Sequence, residues 1–259
     1  MRARYKLPLA VALLLISVAL VTVSSYAWLS MNMDVTARGI ELSMTSPSNM
    51  VIKGPADTDF SAIGTANPYA QNMYPSSSYD GVTFFALEDG EYVGEEGVAD
   101  EDNTVFRNVS GKPVSDLEEG YYADYEFIIK NMAGTPDEKV KVDISTLTVT
   151  SPEEDSTLDR TIRVAVFEKN GENNLILRIF KPADTREVDS IKEIDGAGHI
   201  SSTAKGFADC DGYFEIEGSG GQIVLLVRVW IEGQHPECKG DNRQNSAAID
   251  IEFGIVESP

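Results

Sequence analysis

The sequence predicts an all-β protein, a single antiparallel β-sandwich of jelly-roll type behind an N-terminal apolar helix. Three observations lead there: many short stretches with apolar residues at every second position, Gly- and Asn-rich turns between them, and one long apolar run confined to the first 27 residues. That run comes first. Arg2, Arg4 and Lys6 precede a stretch from Leu7 to Val23 interrupted only by Pro8, Ser17 and Thr22, the pattern of a membrane-inserting segment. Ser25 and Ala27 supply small residues around Tyr26, so signal peptidase would cut between Ala27 and Trp28. The alternative is an uncleaved anchor, because the run extended to Leu29 approaches the roughly 20 residues that span a bilayer. Either way the basic residues stay inside and the body is exported, to the cell surface or the medium. Membrane contact is expected only through that segment.

Beyond the junction the apolar residues fall on odd positions, Leu29, Met31, Met33, Val35 and Ala37, then on even ones, Ile40, Leu42 and Met44. A one-residue phase shift turns a strand over, which a bulge or hinge at Arg38-Gly39 permits. The chain therefore divides into an exported extended strand over 28–38 and a sandwich domain over 39–259. Residues 45–78, rich in Ser, Pro, Asn, Gly and Tyr, read as a long loop insertion. Strands are expected at 82–87, 121–131, 139–150, 161–168, 175–180, 213–217, 222–232 and 248–256. Val140, Val142 and Ile144 would share one face, as would Ile162, Val164 and Val166, and Ile249, Ile251 and Phe253. Asn170-Gly171 suits a tight hairpin, and Gly218-Ser219-Gly220-Gly221 reads as a hairpin loop. Val188, Ile191 and Ile194, at spacing three, predict a short helix over 185–194. About ten short strands in one domain of this size bury a sizeable core unaided.

Composition narrows the function. The net charge of -21 becomes more negative once the three basic residues before Leu7 are removed, so nucleic acid and anionic lipid are excluded as partners. The acids Glu88, Asp89, Glu91, Glu95, Glu96, Asp100, Glu101 and Asp102 form a solvated loop whose spacing is not that of an EF-hand, with divalent-cation binding as the weaker reading. Cys210 and Cys238 are the two cysteines, and in an oxidising compartment they are expected to pair. Closing that loop of about 29 residues would contribute roughly 3 to 4 kcal/mol. No cysteine follows the apolar run to take a lipid, and no Leu-Pro-x-Thr-Gly sorting signal is present.

Catalytic motifs are wanting. His199 and His235 lack the one-turn spacing and intervening glutamate of a zinc peptidase, and Glu217 stands where a nucleophile elbow needs glycine. Glu187 and Asp189 alternate as glycosidase carboxylates can, but in so acidic a chain such a pair arises by chance. The expectation is a protein that is not an enzyme and that uses neither cofactor nor metal. Tyr69, Tyr74 and Tyr79 offer a carbohydrate platform, whereas Tyr121, Tyr122 and Tyr125 read as strand and core residues.

The motifs Ser25-Tyr26-Ala27, Trp28-Leu29-Ser30 and Gly39-Ile40-Glu41-Leu42-Ser43 resemble the TasA and camelysin family of secreted Gram-positive biofilm-matrix proteins. Glu118-Glu119-Gly120-Tyr121, leading to Tyr125-Glu126-Phe127-Ile128-Ile129-Lys130-Asn131, is similar to that family's turn and strand. Val227-Arg228-Val229-Trp230-Ile231-Glu232-Gly233 is similar to clostridial relatives. The resemblance implies processing by a dedicated signal peptidase, a jelly roll, and filaments in which the N-terminal segment of one subunit completes a sheet of the next. The cysteine pair and the insertion over 45–78 depart from TasA.

Independently of the resemblance, Trp28 to Arg38 would reach about 36 Å if extended, with Leu29, Met31, Met33, Val35 and Ala37 on one face. Such a strand can add to a sheet edge, head to tail and hence without limit, or it can pair within its own subunit. The leading expectation is a self-associating filament subunit. The alternatives are a monomeric surface module for glycan or divalent cation, and a camelysin-like peptidase. A type IV pilin would want its processing site before the apolar run, which Lys6-Leu7-Pro8 does not supply.

Overall fold

The computed structural model describes residues 36–44, 49–67, 73–86, 106–115, 117–151, 156–170, 173–180, 190–195, 198–206, 212–238 and 246–256. The chain separates into a unit over 1–32 and a unit over 33–259, and every described residue belongs to the second. Ala27, Trp28, Leu29, Met31, Met33, Val35, Cys210, Tyr69 and the acidic loop 88–102 lie outside the described residues. Among the described residues no helix is long and apolar enough to cross a membrane.

The described protein is mostly strand. In chain order it forms β1 (Thr36–Met44), β2 (Met50–Lys53), β3 (Ile63–Ala66), β4 (Phe85–Ala86), β5 (Arg107–Asn108), β6 (Ala123–Asn131) and β7 (Lys139–Thr150). A single helical turn, α1 (Leu158–Thr161), precedes β8 (Ile162–Asn170), β9 (Asn173–Phe180), β10 (Ser190–Ile194), β11 (Ile200–Gly206), β12 (Tyr213–Glu217), β13 (Gln222–Ile231) and β14 (Ser246–Ile255). One five-stranded sheet has the order β12-β7-β14-β1-β3, a second the order β2-β6-β13-β8-β9, and β4-β5 and β10-β11 form two-stranded ribbons.

The first sheet is mixed, a departure from the all-antiparallel expectation, because β1 runs parallel to β14. Parallel neighbours need a long connection, and here nearly the whole domain lies between them. The phase switch at Arg38-Gly39 is a bulge: Ala37 faces Ala247 and Gly39 faces Ala248, so Arg38 is the extra residue. The same device recurs in β7. Ile144 faces Phe253 and Thr146 faces Glu252, and across the extra Ser145 the apolar set passes from Val140, Val142 and Ile144 to Leu147 and Val149.

A single buried cluster draws on both large sheets, including Ile40, Ile144, Ile251 and Phe253 from the first and Phe127, Val164, Val166 and Val227 from the second. Each side chain of this kind gains about 1.5 to 3 kcal/mol on full burial, which is why alternation fixes the register. The second sheet is buried on its other face as well. Ala165, Phe167, Leu226 and Trp230 turn outward and are covered by Phe84, Ala86, Val109, Tyr121 and Tyr122. The described residues of 73–86, 106–115 and 117–122 therefore form a strap across that sheet, and β8 and β13 read as near-continuous apolar runs for this reason.

Three local expectations need correction. Residues 45–78 are not one loop, since β2 joins the second sheet and β3 the first; each is only four residues long, and Gly64 and Ala66 give β3 little apolar signal. The helix expected over 185–194 is strand β10 from Ser190 onward. The register shift between Lys192 and Ile194 leaves the extra residues in β11, and Val188 lies outside the described residues. Finally, Gly218-Ser219-Gly220-Gly221 is not a hairpin loop but carries the chain from β12 in one sheet to β13 in the other, with Ser219 at φ 53° and Gly220 at φ 95°. Asn170 does face Asn173, so the tight hairpin expected there is present, but Asn170 is paired in β8 and the two connecting residues are Gly171 and Glu172.

Candidate functional site

The sites expected from sequence are placed apart. Ala37 lies in β1 opposite Ala247 of its own chain. Cys238 is a free, fully buried thiol, while Cys210 is outside the described residues. Burial pushes the Cys238 thiol well up; the neighbouring Glu232 carboxylate adds to this and the Arg163 charge opposes it. His235 is buried, and its Nδ1 accepts the Glu237 N–H at 3.1 Å. His199 is exposed beside Asp195, Nδ1 to Oδ2 3.7 Å. Among the described residues no three His, Cys, Asp or Glu side chains are grouped to hold a metal ion. Tyr74 leans on Tyr121 at 5.7 Å between ring centres, part of the strap rather than an open aromatic platform.

The strap is fixed by charged residues that sequence reading did not single out. Arg228, on the outward face of β13, donates Nε and Nη2 to the two Asp124 oxygens at 2.7 and 2.8 Å and Nη1 to the Gly81 carbonyl at 3.0 Å. Its guanidinium also lies 4.3 Å from the Tyr122 ring centre. Burial works against that charge, and Asp124 more than offsets it. Four residues on, Glu232 is fully buried. Its carboxylate accepts Trp230 Nε1 at 3.2 Å, the Gln234 N–H at 3.1 Å and the Ser78 N–H at 3.4 Å. Burial pushes its carboxyl up, with the Ser77 hydroxyl, the Arg163 charge, the Gln234 N–H and the Trp230 indole acting in the other direction. The available signal was a pair of charges alternating with large apolar residues in 226–232.

Beside this cluster, Ser77, Thr83 and Phe85 of the strap and Lys192 and Ile194 of β10 line a small pocket with room for about one water molecule. Gln234 ties two of its lining residues together, donating to Ser77 Oγ at 2.9 Å and to the Lys192 carbonyl at 3.0 Å. A space that small cannot take a sugar or a peptide.

The sheet edges differ sharply. In β3 the outward backbone groups are all taken: Asp57 Oδ2 accepts the Thr65 N–H at 2.8 Å, Ala56 N–H donates to the Thr65 carbonyl at 3.1 Å, and Ser61 Oγ bonds both the N–H and the carbonyl of Ile63. In β2, Ile52 exchanges backbone bonds of 2.7 and 2.9 Å with Ser61. One corner, 54–61, thus closes the β3 edge and holds the β2 edge at Ile52. On the other side β9 is crossed at the Leu177 carbonyl by the Gly212 N–H at 2.9 Å. In β12 the bonds Ile144 N to Gly212 O and Gly218 N to Glu138 O show that even-numbered residues face β7. Tyr213, Glu215 and Glu217 therefore point their N–H and C=O groups outward, and among the described residues nothing bonds those of Tyr213 and Glu215. Compared with protein-family profiles, curated proteins and solved structures, the chain matches none.

Proposed function

We propose that this chain is an exported, non-enzymatic structural subunit, a jelly-roll sandwich freed by cleavage after Ala27, that builds a cell-surface or matrix filament through its N-terminal strand. The observation that carries the reading is an open sheet edge: among the described residues nothing bonds the outward backbone groups of Tyr213 and Glu215 in β12. The one-faced apolar alternation of Leu29, Met31, Met33 and Val35 is strand sequence suited to such an edge.

The truncation that tests this starts at Thr36, because all the described pairing of β1 is then kept, whereas a chain starting at Gly39 would lose paired residues. The chain from Trp28 is expected to form fibres visible by electron microscopy, and the chain from Thr36 to stay monomeric with an unchanged circular dichroism spectrum. Monomers from both, across pH and salt, would sink the proposal.

A further inference from the structure

We infer that the acceptor for the N-terminal strand is the open edge of β12 in a second copy of the chain. This rests on the proposed cleavage and strand donation, and names the partner surface. Of the other edges, β3 is closed by the corner 54–61, β2 is held by that corner at Ile52, and β9 is met at the Leu177 carbonyl by Gly212. The β12 edge offers outward groups on Tyr213 and Glu215 in sequence-alternate positions, the spacing a docking strand meets.

Chain geometry makes the contact intermolecular. Thr36 is level with Ser246, whereas Tyr213 is level with Asp143 and hence with Gly254, eight residues further along β14. The two levels are about 26 Å apart along the strands, and the three strand spacings from β1 to β12 add about 14 Å sideways, about 30 Å in all. Trp28 to Val35, fully extended, reaches about 28 Å from Thr36. The segment would be exhausted in arriving at its own β12, with nothing left to pair. A second copy has no such limit. Since β1 starts at one end of the first sheet and β12 lies at the other, donor and acceptor sit at opposite ends, and copies join end to end along the strand direction. Glu215 and Glu217, with Lys139 and Lys141 opposite them on β7, keep so short an edge from pairing with another β12 while leaving its backbone accessible.

The test uses the chain from Trp28. Hydrogen exchange in assembled fibres, compared with monomer under non-assembling conditions, is expected to slow at the Tyr213 and Glu215 amides by at least about tenfold, with the Ile63 and Thr65 amides unchanged. A Glu215→Pro variant loses an outward N–H but keeps its bonds to β7; it is expected to form no fibres alone and, added at a few per cent, to shorten wild-type fibres by joining through its intact donor strand. Fibres whose β12 amides exchange as fast as in monomer would overturn the assignment of the edge and leave the filament reading standing. Absence of fibres from the unmodified chain would overturn both. If Glu215→Pro does not fold, the exchange measurement decides alone.

Discussion

At the residue scale the two charged side chains of β13 make opposite demands on the fold. Arg228 is satisfied by a forked pair to Asp124 and by the Gly81 carbonyl, a geometry that lysine cannot reproduce with a single ammonium. Arg228→Lys is expected to cost about 1 to 3 kcal/mol in urea unfolding, with circular dichroism unchanged; a loss indistinguishable from zero would mean the fork contributes nothing. Glu232 carries the penalty of burial, and its folded carboxyl is pushed above the usual carboxylate range. The folded state then holds a proton that the unfolded state has released. The resulting stability is fully present below the unfolded value and is lost as pH rises through the folded one. Asp57 has the reverse sign. Burial raises its carboxyl, but the bonds from Thr65 and Gly54 and the Lys53 charge outweigh it, so its net shift is downward and its contribution is lost as pH falls through the folded value. The stability difference between wild type and Glu232→Gln is therefore expected to decline as pH rises above about 4.5, the ordinary carboxyl value, and to be read from urea midpoints. A difference flat in pH from 4.5 to 8 would remove Glu232 as its source.

At the element scale the strap formed by 73–86, 106–115 and 117–122 is the feature that the sequence concealed. Its contribution is local: Phe84 is fully buried, stacks on Tyr122 at 4.6 Å and meets Trp230 edge-on at 5.5 Å, and Ser76 N–H donates to the Ile231 carbonyl at 2.9 Å. Phe84→Ala is expected to cost about 3 to 5 kcal/mol. Native-state hydrogen exchange should then accelerate most at Ser76, Ser77 and Phe85, with the Ile249 and Ile251 amides of β14 changing least. Equal acceleration everywhere would show that strap and sheets open as one unit. Long alternating strands were legible because each apolar residue reports directly on a buried face. β7 and β12 were expected at the bounds they occupy. The strap was not, because its strands are two residues long and its covering residues follow no period.

At the scale of the whole molecule, the distinction is between a chain that closes its own sheets and one that needs a neighbour. The corner 54–61 closes the β3 edge, and no comparable cover lies on the backbone of Tyr213 and Glu215 among the described residues. The fibre experiment on chains from Trp28 and from Thr36 belongs to this scale, since it asks whether the strand sequence before Thr36 is a donor or a dispensable tail. By itself the sequence determined the strand class, the inward faces of β7, β8 and β14, and the phase change at Arg38-Gly39, because period-two burial is a local property that each strand writes in its own residues. It could not determine that β1 lies parallel to β14, that Gly218 to Gly221 joins two sheets, or that Glu232 is buried under Ser78. Those facts depend on which distant segments meet, and that choice is made by packing the whole core at once. The same holds for the open edge of β12: which backbone groups remain unbonded is decided only when every other strand has found its place.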